Sequence, residues 1–100
     1  MADAESSSTE VRDNAPRSRY EVSLDGRIVG FADYRAHGDI VVFPHTEIEP
    51  SMRNQGLGAE LVRGALDDVR ARGATVVAQC WYVGEFIDQH PEYADLLAAT

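Results

Sequence analysis

The sequence contains no lysine, and all nine of its basic residues are arginine. Without lysine the chain can form neither a P-loop nor a Schiff base, whereas arginine remains available for bidentate contacts with phosphate. Acidic residues outnumber basic ones and give a formal net charge of −8. Because duplex nucleic acid and anionic membranes are bound chiefly through basic patches, we expect neither as the main partner.

Cysteine and long apolar runs are also scarce. Cys80 is the only cysteine, so the chain has no internal disulfide and no second thiol for a zinc cluster, and we predict no metal site. No apolar run approaches the ~18 residues that a membrane span requires. The first residues lack the basic start and apolar stretch of a signal or transit peptide, so we expect a cytoplasmic protein.

Two parts of the chain differ in composition. Residues 1–18 are rich in Ser, Asp, Glu and Ala and hold almost no aliphatic bulk. Such a segment cannot bury enough apolar surface to offset the entropy of ordering it. We therefore predict a disordered tail over residues 1–18 and one domain over residues 19–100.

The first half of the predicted domain has the pattern of an antiparallel meander. Short apolar or alternating runs are separated by turn signals, of which Asp25-Gly26 is typical of a tight hairpin. The predicted strands cover residues 19–24, 27–36 and 40–49.

The second half changes to a helical period. A helix is predicted from Leu57 to the residues before Gly73, with one apolar stripe formed by Leu57, Leu61, Val62, Ala65, Leu66 and Val69. An apolar run at 74–82 predicts a strand parallel to the previous one, because a helix connects them. A short helix interrupted at Pro91 follows. The predicted order is β-β-β-α-β-α, an α/β fold with a mixed, mostly antiparallel sheet.

The junction between the third strand and the long helix has the features of an anion site. Gly56 and Gly58 permit close backbone approach, the first N–H groups of the helix lack partners, and Arg53 adds a charged fork. The expected ligand is a phosphate or pyrophosphate. A dinucleotide-binding fingerprint is excluded because Leu61 stands where its third glycine is required.

The segment RNQGLG, with the text around it, resembles the small single-domain branch of the GNAT superfamily of N-acetyltransferases. The resemblance covers about half the chain. The matching motifs are His45-Thr46-Glu47, Cys80 and His90-Pro91-Glu92-Tyr93. The chain departs from the family at Trp81, where proline is usual, and at Asn54, where glycine is common.

This resemblance implies a minimal GNAT-like fold in which the strands before and after the long helix splay apart at an acyl-CoA site. Its ligand would be acetyl-CoA or CoA. The resemblance places the pyrophosphate against the backbone of Arg53, Asn54, Gln55, Gly56, Leu57 and Gly58. It places the acetyl thioester near His45, Glu47, Cys80 and Tyr82.

The chemistry of these acyl-end residues allows several roles. His45, Glu47 and Glu49 share one face of a strand by alternation, unless a β-bulge reverses the facing, and His45 or Glu47 would act as the base that deprotonates an amine. Tyr82 or Tyr93 would protonate the leaving thiolate. Alternatively, the residues of the strand are only an exposed, solvated strand end, and the two tyrosines only pack against their neighbours.

Cys80 also has two readings, as a buried thiol that lines the site or as a nucleophile that accepts the acetyl group. Members of the superfamily usually transfer the acetyl group directly to the amine.

The resemblance implies an acetyl-CoA-dependent N-acetyltransferase, and the alternative is a non-catalytic acyl-CoA-binding module. Larger members carry helices between the first two strands, where this chain has only Asp25 and Gly26, so the acceptor side is expected to be open. The negative charge favours a cationic acceptor such as a polyamine or a basic protein segment. The sequence leaves the oligomeric state open.

Overall fold

The computed structural model describes residues 8–98, which form one five-stranded sheet with two α-helices. The strands are β1 Thr9–Asn14, β2 Arg19–Leu24, β3 Arg27–His37, β4 Ile40–Ile48 and β5 Thr75–Ala78. The helices are α1 Leu57–Ala71 and α2 Trp81–Gln89, and 3₁₀ turns lie at Ala15–Arg17, Pro50–Met52 and Pro91–Leu96. No helix in residues 8–98 is both long and apolar enough to cross a membrane.

The sheet is mixed, as predicted. Its strands lie in chain order, β1 to β4 pair antiparallel, and β5 pairs parallel to β4. The parallel pair follows from the long connection through α1, which carries the chain back to the end of the sheet where β4 began. The hairpin between β2 and β3 turns at Asp25 and Gly26, both with positive φ.

The predicted disordered tail is wrong for the part of it that the structure describes. Thr9–Asn14 is an edge strand whose backbone pairs with β2, and its Val11 packs on α1 at Gly64, where an added Cβ would lie 2.7 Å from the Val11 Cβ. Composition misses this strand because charged residues are usual on a sheet edge and backbone pairing needs no apolar side chain. Residues 1–7 of the predicted tail lie outside the described residues.

Helix α1 covers one face of the sheet with the predicted stripe. All six residues of that stripe, from Leu57 to Val69, are buried. They pack against sheet residues that are also buried, among them Tyr20, Val22, Ala32, Phe43 and Val76.

Helix α2 packs on the same face as α1. Val83 of α2 meets Ala32 and Phe43 of the sheet and Val62 and Leu66 of α1 around a small internal void. By alternation, the opposite face carries the neighbouring residues of each strand, and several of these remain exposed: Glu10, Arg12, Ile28, Arg35, His45 and Glu47. The connection between β2 and β3 is only two residues long, so it does not cover this face.

The predicted end of the last strand needs correction. β5 ends at Ala78 rather than continuing to residue 82, and α2 begins at Trp81 with Cys80 as its N-cap residue. Val83, Phe86 and Ile87 supply the buried side of this helix, at spacings that suit a helix. Tyr82 therefore lies in the first turn of a helix and not on a strand.

Candidate functional site

A cleft of about 940 Å³ opens where β4, the turn before α1 and the start of α2 meet. Its size is in the range of small-molecule and cofactor sites. The lining residues are Pro44, His45, Thr46, Glu47, Ile48, Met52, Arg53, Asn54, Gly56, Leu57, Gly58, Gln79, Cys80, Trp81 and Tyr82. Three of the candidate residues of the sequence analysis, Glu49, Gln55 and Tyr93, do not belong to this set, and the other candidates do.

The cleft forms because β4 and β5 separate part of the way along β4. Their parallel pairing ends at Phe43 and Ala78, after which the N–H groups of Gln79 and Cys80 both donate to the Phe43 carbonyl, at 3.1 and 2.8 Å. β4 continues to Ile48 without β5 beside it. The expected splay between these strands is thus present.

A β-bulge in β4 lies at the same point. Asp33 pairs with His45 and Arg35 with Val42, so Tyr34 alone faces the two β4 residues Phe43 and Pro44. Pro44 has no N–H to donate to a neighbouring strand, which suits a position where pairing is interrupted.

The turn before α1 forms one wall of the cleft. Gly56, at φ +77°, is the N-cap residue, and no side chain caps the helix. The first N–H bonded back to the turn is that of Glu60, which donates to the Gly56 carbonyl at 3.1 Å, so the N–H groups of the three preceding helical residues have no acceptor within the helix. Unpaired N–H groups and the positive end of a helix dipole are the features that suit an anion.

Arg53 lies at the rim of the turn, where its Nε donates to the Ile48 carbonyl at 3.3 Å. Within residues 8–98 it forms no ion pair with an acidic side chain, so its charge is available to a ligand. Gln55 differs from its neighbours, because its amide turns toward Met52 Sδ at 3.9 Å and it does not line the cleft.

Gly58, in the first turn of α1, is in close contact with Tyr82. A Cβ built at Gly58 would lie 2.7 Å from the Tyr82 hydroxyl oxygen and 3.0 Å from its Cζ. Glycine at this position therefore lets the Tyr82 ring lie against the start of α1. Burial, together with the negative charge of Glu85, raises the pKa of Tyr82, so its hydroxyl keeps its proton at neutral pH.

His45 and Glu47 lie side by side on the open face of the sheet. His45 Nε2 is 3.0 Å from Glu47 Oε1, and both side chains are about half exposed, at 55% and 53%. Phe31 of β3 flanks the His45 ring at a centroid distance of 6.0 Å. Glu49, the third candidate on this face, is instead held by Arg27 in a two-oxygen ion pair at 2.9 and 3.1 Å.

Cys80 lines the cleft from the face of the sheet that the helices cover, opposite to His45 and Glu47. It is only 8% exposed, and its Sγ lies 3.5 Å from the hydroxyl of Thr46, to which it donates. Burial alone would raise the pKa of the Cys80 thiol, but the Thr46 hydroxyl and backbone N–H groups of Val83, Tyr82 and Thr46 outweigh it and hold that pKa below its ordinary value. The candidate acyl-end residues are therefore divided between two faces of β4.

The structure places Tyr93 outside the cleft and Trp81 at its rim. Tyr93 is buried outside the cleft, where its hydroxyl donates to Asp67 at 2.7 Å, so its proposed role as a proton donor at the site is wrong. Trp81 is 75% exposed at the cleft rim and meets the Tyr82 ring edge to face at 5.8 Å.

Six lining residues were not predicted as site residues from the sequence: Pro44, Thr46, Ile48, Met52, Gln79 and Trp81. Alternation predicts that Thr46 points to the face opposite to His45 and Glu47, but which of the two faces the helices cover depends on the bulge. In residues 8–98 there is no group of three or more His, Cys, Asp or Glu side chains that could hold a metal ion.

Comparison of the sequence with known protein families finds one matching family. A family model described as GCN5-related N-acetyl-transferase matches residues 19–96. Protein NATD1 of Bos taurus is 31% identical over 78 residues, which cover 75% of this chain and 68% of that protein. The same protein of Homo sapiens is 30% identical over 78 residues, again 75% and 68% of the two chains.

Solved structures share the fold at low sequence identity. A GCN5-like protein from Staphylococcus aureus superposes with a TM-score of 0.69 at 16% identity, over 91% of this chain and 89% of that one. The ribosomal-protein-S18-alanine N-acetyltransferase of Escherichia coli gives 0.57 at 21% identity, over 60% of this chain and 39% of its own. N-acetylglutamate synthase of Neisseria gonorrhoeae, solved with coenzyme A and N-acetyl-glutamate, gives 0.58 at 20% identity, over 73% of this chain and 18% of its own.

Proposed function

Because the chain belongs to the GCN5-related N-acetyltransferase family, we propose that it binds acetyl-CoA in the cleft and transfers the acetyl group to an amine. The observation that carries the proposal is the open start of α1. Its backbone N–H groups, the left-handed Gly56 and Arg53, which forms no ion pair within residues 8–98, would form an anion site at one end of a cleft that contains nucleophilic and basic groups at the other.

The residues present suit a CoA pyrophosphate. Nothing lies within 4 Å of a Cβ built at Gly56, so the turn is open on that side, and the N–H groups of Leu57 and Gly58 are free to donate. Arg53 would add a charge-assisted hydrogen bond to the same anion. The separation of β4 from β5 leaves backbone groups of β4 for the pantetheine arm.

When bound, acetyl-CoA supplies the thioester, whose C–S bond breaks as the acceptor nitrogen forms a C–N bond to the acetyl carbon. The His45–Glu47 pair would take the proton that the acceptor ammonium must lose before it attacks. Tyr82, whose hydroxyl stays protonated at neutral pH, would donate a proton to the leaving sulfur. Cys80 would line the acyl end from the helix side of β4 and, in a covalent route, would carry the acetyl group on its sulfur.

The open face of the sheet suits an acceptor that is part of a larger molecule or a flexible cation. His45 and Glu47 are exposed on that face, so an amine reaches them without passing through a narrow channel. With a net charge of −8, the protein would favour a polyamine or a basic protein segment.

The test is acetyl transfer by the purified protein, with spermidine and a lysine-containing peptide as acceptors and product mass and CoA release as readouts. Glu47→Gln and His45→Asn should each lower turnover by about 10²-fold or more while CoA binding is retained, since a general base contributes on that scale. Thermal unfolding with CoA is the binding control, because ligand at a hundred times its dissociation constant stabilises the folded state by about 2.7 kcal/mol.

Each outcome decides between the two candidate functions. Binding with no turnover for either acceptor would support the acyl-CoA-binding module instead. No stabilisation at millimolar CoA would contradict both. A gain of one acetyl mass in the parent but not in Cys80→Ala, after incubation with acetyl-CoA alone, would establish the covalent route.

A further inference from the structure

We propose that Thr46 is a positioning residue for Cys80, holding its sulfur at the inner wall of the cleft and donating a hydrogen bond to it when the thiol loses its proton. The contact itself is a feature of the fold, whereas its importance for acetyl transfer rests on the proposed function. No candidate role was assigned to Thr46 by the sequence.

The strand places Thr46 on the correct side of the sheet for this contact. Thr46 pairs with Ala32, a buried residue on the face that α1 and α2 cover. His45 and Glu47, one residue to either side, point to the open face. The bulge at Phe43 and Pro44 sets this facing, because one extra residue reverses the alternation along β4.

The backbone of Cys80, the other residue of the contact, is held in place by hydrogen bonds. Cys80 donates its N–H to the Phe43 carbonyl at 2.8 Å, accepts the N–H of Gly84 at 3.1 Å and is the N-cap residue of α2. Its sulfur therefore stands at the start of a nine-residue helix, where the N–H groups of Tyr82 and Val83 also point toward it. The 3.5 Å contact between Cys80 Sγ and Thr46 Oγ1 then joins β4 to α2 beyond the point where the strands separate.

A hydroxyl is suited to this position because it can reverse the direction of the bond. Thr46 accepts from the neutral thiol, and rotation of the same hydroxyl makes it a donor to a thiolate. A hydrogen bond to a charged group is stronger than one between neutral groups, so the donor favours the ionised sulfur. Valine has the same shape as threonine and lacks this donor.

No ionised side chain in residues 8–98 makes a hydrogen bond to Cys80 that would supply the same effect. The titratable and charged side chains lining the cleft are His45 and Glu47 from β4, Arg53 from the turn, and Tyr82 from α2. Glu85 of α2 lies close enough to Tyr82 to act on its ionisation. These groups are unchanged by a substitution at Thr46, so a change in thiol reactivity would report on the hydroxyl.

The experiment measures the rate of iodoacetamide alkylation as a function of pH. Because Cys80 is the only cysteine, intact mass counts a single reaction site. Thr46→Val should move the midpoint of the rate profile up by about one pH unit and slow alkylation at neutral pH about tenfold. Thr46→Ser, which keeps the hydroxyl, should stay within about twofold of the parent.

The matched control is Thr75→Val, a threonine at the far end of β5 whose hydroxyl donates to the Asp39 carbonyl. It should leave the alkylation profile unchanged. Equal midpoints for the parent and Thr46→Val, with both proteins folded by circular dichroism, would overturn the proposal, and so would an equal shift in Thr46→Ser.

If Thr46→Val does not fold, the ¹³Cβ resonance of Thr46 in the parent protein gives the answer. It should titrate with the midpoint of the alkylation profile, and a flat resonance across that midpoint would contradict the contact. Neither measurement uses acetyl-CoA, so a failure of the proposed acetyl transfer and a failure of this inference are separate results.

Discussion

The two ends of α1 differ in how fully their polar groups are satisfied. At the first residues, no side chain caps the helix and the N–H groups open into the cleft. At the last residues, Arg72 donates to Asp13 at 2.8 Å and pairs with Asp68 at 2.9 Å. Tyr20 donates to Asp68 at 2.6 Å, and Tyr34 donates to Asp13 at 2.7 Å.

Because of this difference, we expect the last residues of α1 to contribute mainly to the stability of the fold and its first residues to ligand binding. The network of Asp13, Tyr20, Tyr34, Asp68 and Arg72, which we call the distal network, ties β1, β2 and β3 to the end of α1. Its polar side chains are bonded to one another and are therefore not available to a ligand. The start of α1 has no side-chain cap and keeps its backbone donors free, which is the condition for an anion site. Substitutions at the two ends should therefore have separable effects.

The largest effect on stability is expected from Asp68→Ala. The hydroxyl of Tyr20, a residue only 3% exposed, would lose its acceptor, and an unsatisfied buried donor costs about 1–3 kcal/mol. Urea unfolding should show this loss, while the affinity for CoA should be unchanged.

The control for Asp68→Ala is Tyr20→Phe, which removes the donor instead of stranding it. It should cost less than Asp68→Ala, and adding it to Asp68→Ala should recover part of the loss. A fall in CoA affinity in Asp68→Ala, at a temperature where it is folded, would break the separation between the two ends.

At the opposite end of α1, Arg53→Ala should weaken CoA binding by about tenfold, the loss of one hydrogen bond to a charged group. Its side chain bonds only the Ile48 carbonyl at 3.3 Å, so the free energy of unfolding should change by less than about 0.5 kcal/mol. Calorimetric titration with CoA measures the first quantity and urea unfolding the second.

Arg12→Ala is the matched control for charge, because Arg12 is an exposed arginine on β1 that reaches Glu10 at 3.7 Å. It should leave CoA affinity within about twofold of the parent. If both arginine variants lose affinity equally, Arg53 acts through net charge and not through contact with the pyrophosphate.

A smaller effect is expected from pH at the distal network. Burial and the hydrogen bond to Asp13 raise the pKa of Tyr34 to about 12, from 10.0. Above pH 10 the unfolded chain releases this proton while the folded protein retains it, so stability should fall as pH rises from 10 to 12. Tyr34→Phe should show a shallower fall in urea unfolding over that interval. An equal slope in parent and variant would contradict the assignment.

The sequence predicted the parts of the molecule in which side-chain pattern and backbone structure coincide. The apolar stripe of α1 predicted its buried face residue by residue, and the glycine turn predicted the start of the helix at Gly56, because both depend on local periodicity and backbone chemistry. That an anion binds at this turn is still a prediction. The residue roles proposed at the acyl end remain predictions.

What the sequence could not supply depends on contacts between distant segments. β1 is held by pairing with β2 and by the contact between Val11 and Gly64, neither of which has a local signature. The facing of Thr46 toward Cys80 depends on a bulge that no residue pattern fixed in advance. The early end of β5 follows from the shared Phe43 carbonyl, again a tertiary contact.

The central claim, that the open start of α1 binds the CoA pyrophosphate, is tested most directly by titrating the ¹⁵N-labelled protein with CoA and following the backbone amides at both ends of the helix. We predict the largest shifts at Gly56, Leu57 and Gly58 and no change at Arg72 and Gly73. Unchanged amides at residues 56–58 with millimolar CoA, or larger shifts at the distal end, would contradict the account.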